Sequence, residues 1–510
     1  MAPHIMGLDL GTSSLKILLI NEGAEIRFVQ SAAYSSLMPR PGWIEQDPAE
    51  YEKAMETVIT AALEHVPPKD IAAVSFSGHM SATVLIDAAG RPVTNCITIS
   101  DNRSEAESLE IAEKAGSRIF KNTGNPVLSG FSAPKLLWLQ RNRNEVFLRA
   151  AHYIAPKDYL RFLLCGRVSA EYTDAANSLL LDSRGQWDWD LIRDLGLPGS
   201  IFPEVLKPTE VAGTVTGTAA RRFGLKEGTP VVAGGADMAC GALGIGVNRP
   251  GDAAVTIGTS ATFLCAVGGV GGSAQKGVTY HPHTVSGCFY ALGSHFNGGL
   301  ALNWFSSLFS PDKKINYSLL DELADRIGDI PPGSLGLLCL PFLVGSGTPY
   351  FSANDSAAFI GLNQTTDRPL LFRSLLEGIA LNLRQSLELL EEINGGALKN
   401  IRIAGGGSKI REWARIITDV FGRDTLTVVC PHASAVGAAV LGGAGVKLYP
   451  NTEEPAAKCF EDQHRLSADA GAHRVYGELY RLWTDAHDVL EHITGELKKY
   501  TSGDDSGGYK

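Results

Sequence analysis

Two stretches of this chain carry the same Gly-Thr-Ser turn between two apolar runs. They are "IMGLDLGTSSLKILLI" at the start and "AAVTIGTSATFLCAV" in the second half, with turns at Thr12 and Thr259. A chain that builds one hairpin twice reads as a duplication: two α/β lobes that each begin with it and face one another across a cleft. Length agrees, because 510 residues exceed one ordinary core and two domains are expected. The boundary is expected near residue 245. That gives one lobe over 1–245, a second over 246–498, and a frayed tail over 499–510 that ends in the polar, Gly-rich "TSGDDSGGYK".

Local patterns support the α/β reading. The first forty residues alternate strands and turns, and then "PGWIEQDPAEYEKAMETVITAALEHV" changes period. Asp47-Pro48 predicts a helix start, with Asp capping free amides and Pro suited to the first helical position. "IAAVSFSG" predicts a strand ending in a polar loop, residues 104–165 read as helical, and "PVVAGGADMACGALGIG" reads as buried strand, Gly turn and helix. A long helix over "RPLLFRSLLEGIALNLRQSLELLEEING" is expected to stop at Asn394-Gly395, and "NIRIAGGGSKIREWARIITDVFG" repeats strand, Gly turn and helix.

Composition narrows the function. Net charge is −10, which argues against nucleic acid as a partner, since phosphate backbones need a basic face. The eight cysteines are scattered singly and read as reduced, buried thiols rather than a disulfide framework or metal site. No leader pattern appears, and no apolar run approaches the roughly 20 residues of a membrane span. No membrane partner and a cytoplasmic location are expected.

The turns suggest chemistry. Amides converging on a concavity bind phosphates, and two such turns can grip a polyphosphate from opposite sides. Asp9 lies in an apolar strand two residues before the first turn. It either holds Mg²⁺ through water or bonds the turn's own amides. Asp237 follows two glycines at a strand's carboxyl end, where α/β sheets bind ligands. It either accepts a proton from a substrate hydroxyl or caps the next helix. Gly405, Gly406 and Gly407 join strand to helix and suit a flat ligand against backbone. Neither a Walker A pattern nor a Rossmann fingerprint in its proper context occurs.

Taken together, these motifs resemble the FGGY carbohydrate kinases, and within them the xylulose kinases, over nearly the whole chain. "PGWIEQDP", "APKLLWL", "APKDYLRFLLCG", "YTDAANS", "AGGADMACGALGIG", "GTSATF" and "GGGSKIREW" follow in the family's order. The resemblance implies the two-lobed, ribonuclease H-like fold of actin, Hsp70 and hexokinase, with duplicated lobes and an interdomain cleft. It implies transfer of the γ-phosphate of ATP to a small sugar, D-xylulose first, with Asp237 as base and Asp9 positioning Mg²⁺. Gly11, Thr12, Ser13, Lys16, Gly258 and Thr259 would border the phosphates. Asn297, Gly298, Gly299 and Gly405–Gly407 would lie by the adenosine. His79, Met80, Ser81, Asp101, Arg103 and Asp237 would contact the sugar. A homodimer is common in the family, although no interface signature stands in the sequence.

The chain departs from the family at three places. His79-Met80-Ser81-Ala82 replaces Gln-Met-His-Gly, and Ile99 replaces the Trp of Trp-x-Asp-x-Arg. Gly345-Ser346-Gly347-Thr348-Pro349 replaces Gly-Glu-Arg-x-Pro, with Ser356 near a missing Arg. The sugar is therefore open to L-xylulose, gluconate or another polyol. The competing class is a non-enzymatic, nucleotide-gated relative, which has no need of Asp237.

Overall fold

A computed structural model describes residues 3–270, 277–310 and 313–500. The first half builds β1 (His4–Leu10), β2 (Ser14–Asn21), β3 (Ile26–Ala33), α1 (Pro48–His65) and β4 (Ile71–Gly78). After a helical insertion come β5 (Val211–Thr214), β6 (Pro230–Val232), β7 (Gly235–Ala236) and α2 (Asp237–Gly244). The second half builds β8 (Asp252–Ile257), β9 (Ala261–Val267), β10 (Val278–Pro282), β11 (Phe289–His295) and α3 (Gly299–Leu308). It continues with α4 (Arg368–Asn394), β12 (Asn400–Gly405), α5 (Arg411–Phe421), β13 (Thr425–Val429), α6 (Ala433–Gly445), β14 (Glu461–Leu466) and α7 (Ala470–Lys498).

The two sheets repeat one topology. The first runs β5-β6-β4-β1-β2-β3, and the second runs β10-β11-β9-β8-β12-β13-β14. In each, a hairpin pairs antiparallel with a third strand on one side. On the other side its first strand pairs parallel with β4 or β12. This is the duplicated α/β arrangement of actin and hexokinase. Local signals act as the sequence suggests: Asp47 accepts from the Ala49 amide at 2.9 Å to start α1, and α4 ends on Gly395 at φ 72.

The interval 104–165 is not all helix, because His152–Ile154 forms a short strand against Val84–Ile86. Three residues are too few to carry a period of two. That insertion has a core of its own around Trp138, Trp187 and Phe202.

A cut at residue 245 follows the sheets but not the helices. α2, from the first half, packs Ala239 and Ala242 on Ala254, Leu264 and Tyr290 of the second sheet. α6, from the second half, packs Ala435, Val436 and Ala439 on Ile5, Leu18 and Ala73 of the first. Each lobe is thus covered by a helix of the other. Of the expected tail, Lys499 and Tyr500 follow α7 directly, and 501–510 lie outside the described residues.

Candidate active site

Both Gly-Thr-Ser turns have their carbonyls tied to the body of their own lobe. In the second, the Gly258 oxygen accepts from the Gly299 amide at 2.7 Å, and the Thr259 oxygen accepts from the Leu300 amide at 2.8 Å. In the first, Gly11 accepts from the Tyr34 hydroxyl, Thr12 from Gln46 Nε2 at 2.6 Å and Ser13 from the Tyr34 amide at 3.1 Å. A trans peptide unit points its N–H opposite its C=O. The N–H groups of Thr12, Ser13, Thr259 and Ser260 therefore turn away from the lobes, and among the described residues they meet no acceptor. Paired rows of free amides are anion cradles.

Between the bases of the hairpins lies a cavity of about 470 Å³. It is walled by Asp9 and Lys16, cross-strand partners on β1 and β2, and by Thr256 and Thr262, cross-strand partners on β8 and β9. Asp237, Gly405, Gly406, Ser408, Lys409 and the segment 428–434 also line it, beside apolar residues of α2 and β9.

Asp237 is the first residue of α2, and Ala236 holds the cap position, so the capping alternative does not describe it. The Asp237 carboxylate accepts from the Met238 amide at 2.8 Å. Burial pushes its pKa up to about 7, the charge of Asp9 adds to the rise, and amide bonds from Met238 and Met80 oppose it. Burial also raises Asp9, against the nearby Ser77 hydroxyl and Lys16 ammonium. Asp9 Oδ1 is buried without a partner. An unpaired carboxylate oxygen beside a second carboxylate suits a hard cation held jointly with phosphate oxygens. Among the described residues no group of three or more His, Cys, Asp or Glu forms a protein-only cage.

His79, Met80 and Ser81 follow β4 and are buried. The His79 amide donates to the Leu10 oxygen at 2.8 Å, which fastens the loop beside the first hairpin. Both His79 ring nitrogens lack partners. Burial, helped by Lys135, lowers its pKa to about 4, so the ring is neutral. Ser81 adopts φ 62 with its hydroxyl unpartnered, and its carbonyl accepts from Lys135 Nζ at 2.8 Å. Met80 packs beside Ala236 and Tyr290. Buried polar atoms without partners are costly, and these lie in the loop whose Met80 amide bonds the Asp237 carboxylate.

Other expected residues lie elsewhere. Asp101 accepts from the Ile44 amide at 2.6 Å and from Arg103 at 2.7 and 2.8 Å. Arg103 also pairs with Glu45 at 2.8 Å and stacks over Trp43 at 3.9 Å and Trp138 at 5.1 Å. Their charges are paired within the protein, where they brace the "PGWIEQDP" segment. Asn297 bonds the Gly345 oxygen at 2.8 Å, and Gly298 and Gly299 pack against the backbone of the second turn. Gly407 faces inward, where a Cβ would lie 2.5 Å from Ile257 Cγ2.

Sequence reasoning missed Thr256, Thr262, Ser408, Lys409 and the segment 428–434. The last carried a signal, a strand running through "CPHAS" into a small-residue helix. Ser434 Oγ donates there to the Asp237 carbonyl at 3.0 Å.

Comparison with known proteins decides the family. Residues 4–244 match the N-terminal domain of the FGGY family of carbohydrate kinases, and residues 253–446 match its C-terminal domain. The chain belongs to the FGGY family. It is therefore a carbohydrate kinase that uses ATP. The xylulose kinase of Bacillus subtilis (strain 168) is 30% identical over 98% of this chain and 99% of its own. The gluconokinase of the same organism is 28% identical over 87% of each chain. The crystal structure of xylulose kinase from Rhodospirillum rubrum superposes with a TM-score of 0.89 at 28% identity, covering 96% of this chain and 99% of that one. Among the described residues, no helix of this FGGY kinase is long and apolar enough to cross a membrane.

Proposed function

We propose that this kinase phosphorylates D-xylulose to D-xylulose 5-phosphate, with Asp237 as general base. The observation that carries the mechanism is a carboxylate held near neutral pKa on the wall between two amide-lined turns. Asp237 accepts the proton of the sugar hydroxyl, whose oxygen attacks the γ-phosphorus of ATP as the bond from that phosphorus to the β,γ-bridging oxygen breaks and ADP leaves. Phosphoryl transfer asks the protein mainly for positioning and charge neutralisation. The free amides of Thr12, Ser13, Thr259 and Ser260 hold the phosphates, and Lys16 adds a cation at the same wall. Asp9 takes part in holding Mg²⁺, which neutralises phosphate charge when bound. Gly405 and Gly406 present bare backbone to the adenosine.

The choice of D-xylulose is supported by the near full-length similarity to a xylulose kinase. His79 and Ser81 favour a second reading. A loop with hydrogen-bonding groups unlike the family's changes which hydroxyls are satisfied, and unpaired buried groups reject the wrong sugar. Another acceptor, such as a sugar acid or polyol, is that second reading. A coupled ADP-release assay across ketoses, polyols and sugar acids separates them. The first expects the highest kcat/KM with D-xylulose, and a larger value with gluconate or a polyol replaces it. ATP turnover independent of any acceptor would remove the base role of Asp237.

A further inference from the structure

Gln46 stands in the "PGWIEQDP" segment, to which the proposed reaction gives no task. The residue is 1% exposed, and both ends of its carboxamide are bonded. Nε2 donates to the Thr12 oxygen at 2.6 Å and to Ser36 Oγ at 3.0 Å, while Oε1 accepts from the Tyr51 hydroxyl at 2.5 Å. The residue is held on both sides: Glu45–Gln46 pairs with Cys96–Ile97 as a two-residue ladder, and α1 begins two residues later. A buried amide fixed in this way does not swing.

Its target is the middle carbonyl of the first Gly-Thr-Ser turn. Tyr34 secures the carbonyl before it and the one after it, by its hydroxyl and its amide. Peptide planarity converts these anchors into direction. With the Gly11 and Thr12 oxygens drawn to the lobe, the Thr12 and Ser13 N–H groups face the other way. Released, the exposed Thr12–Ser13 unit can turn its carbonyl outward and present a negative dipole to the phosphates. The second turn has no such vulnerability, because backbone amides of Gly299 and Leu300 hold its carbonyls. The two cradles share a geometry but differ in their support, side chains in one and main chain in the other.

We propose that Gln46, seconded by Tyr34, is a positioning residue for phosphoryl transfer. It locks the first turn with the Thr12 and Ser13 amides toward the polyphosphate. This rests on the reading of that turn as a phosphate cradle. Full-length Gln46→Met and Tyr34→Phe are titrated calorimetrically with MgADP and with adenosine. Gln46→Met should bind MgADP about tenfold more weakly, the scale seen when a supporting partner behind a binding group is lost. Tyr34→Phe should follow in the same direction, and adenosine affinity should hold in both. In turnover, KM for ATP should rise more than kcat falls.

MgADP affinity unchanged in both variants overturns the proposal. Equal weakening of MgADP and adenosine also overturns it, because a general structural defect acts on the whole site. Ser13→Pro, which deletes one of the amides, separates the two levels. If it weakens MgADP while Gln46→Met does not, only the brace fails. If neither has an effect, the phosphate reading of the turn fails with it.

Discussion

Asp237 and Asp9 face one cavity, and each makes ionisation of the other harder. Burial is the larger cause of the Asp237 pKa near 7, and the Asp9 charge is the second. The acid limb of kcat/KM for the sugar should therefore fall near pH 7, since a base works only when unprotonated. Asp237→Asn should lower turnover on the order of 10²-fold or more and leave MgADP binding nearly intact. Asp9→Asn removes one of the two raising causes, so its residual activity should show an acid limb at lower pH. A limb that stays or rises would disconnect the pair. The sign for stability is opposite to that for activity. A carboxylate raised in the folded state stabilises below its unfolded pKa, and that contribution is lost as pH climbs through about 7. Asp237→Asn should accordingly be more resistant to urea than the parent at pH 8, with the advantage shrinking as pH falls and gone only below the unfolded pKa of about 4.

The elements that bring these residues together are two short helices exchanged between lobes. α2 and α6 touch through glycine: a Cβ on Gly437 would lie 2.1 Å from the Cys240 oxygen, and one on Gly244 would lie 2.1 Å from the Ala433 oxygen. Backbone cannot yield as a side chain does, so Gly437→Ala must part the helices. It should cost about 3 kcal/mol in urea unfolding, the upper range for overpacking, and depress activity by moving Ser434 off the Asp237 carbonyl. Gly477→Ala on α7 meets open space and should stabilise by about 0.5–1 kcal/mol through helix propensity. Equal effects at the two sites would deny the crossing its role. The contrast also marks what the sequence can disclose. The Asp47-Pro48 start, the Gly395 stop and both hairpins are local devices, and each is legible from a few residues. The exchange of α2 and α6 is tertiary. Both helices read as small-residue runs after a Gly or Ser turn, and nothing in the run names the sheet it will cover.

Across the whole molecule, what was legible of the site sits in its turns, and what was not lies between distant segments. Asp9, Asp237, Gly405 and Gly406 belong to compact motifs. By contrast, the pairing of Asp101 and Arg103 was not legible, because their partners Ile44, Glu45 and Trp43 are remote in sequence. The same distance hides a clasp between the lobes. Asn125 Nδ2 donates to the Tyr280 oxygen and Asn125 Oδ1 accepts from the Tyr280 amide, both at 2.7 Å, and His281 Nδ1 lies 2.7 Å from Asn177 Oδ1. β10, the edge strand of the second sheet, is thereby also fastened to the first lobe. Two lines of attachment leave one principal freedom, a rotation that narrows the cavity between the hairpins. Excluding water from the γ-phosphate requires such closure. Small-angle scattering should show compaction when sugar and a non-hydrolysable nucleotide are added together. Asn125→Ala strands the amide and carbonyl of Tyr280, a loss of about 1–3 kcal/mol per buried group. The free variant should scatter as a more extended particle than the parent, and both ligands together should restore most of the compaction. If the parent does not contract, or the variant matches it when free, the clasp does not guide the closure.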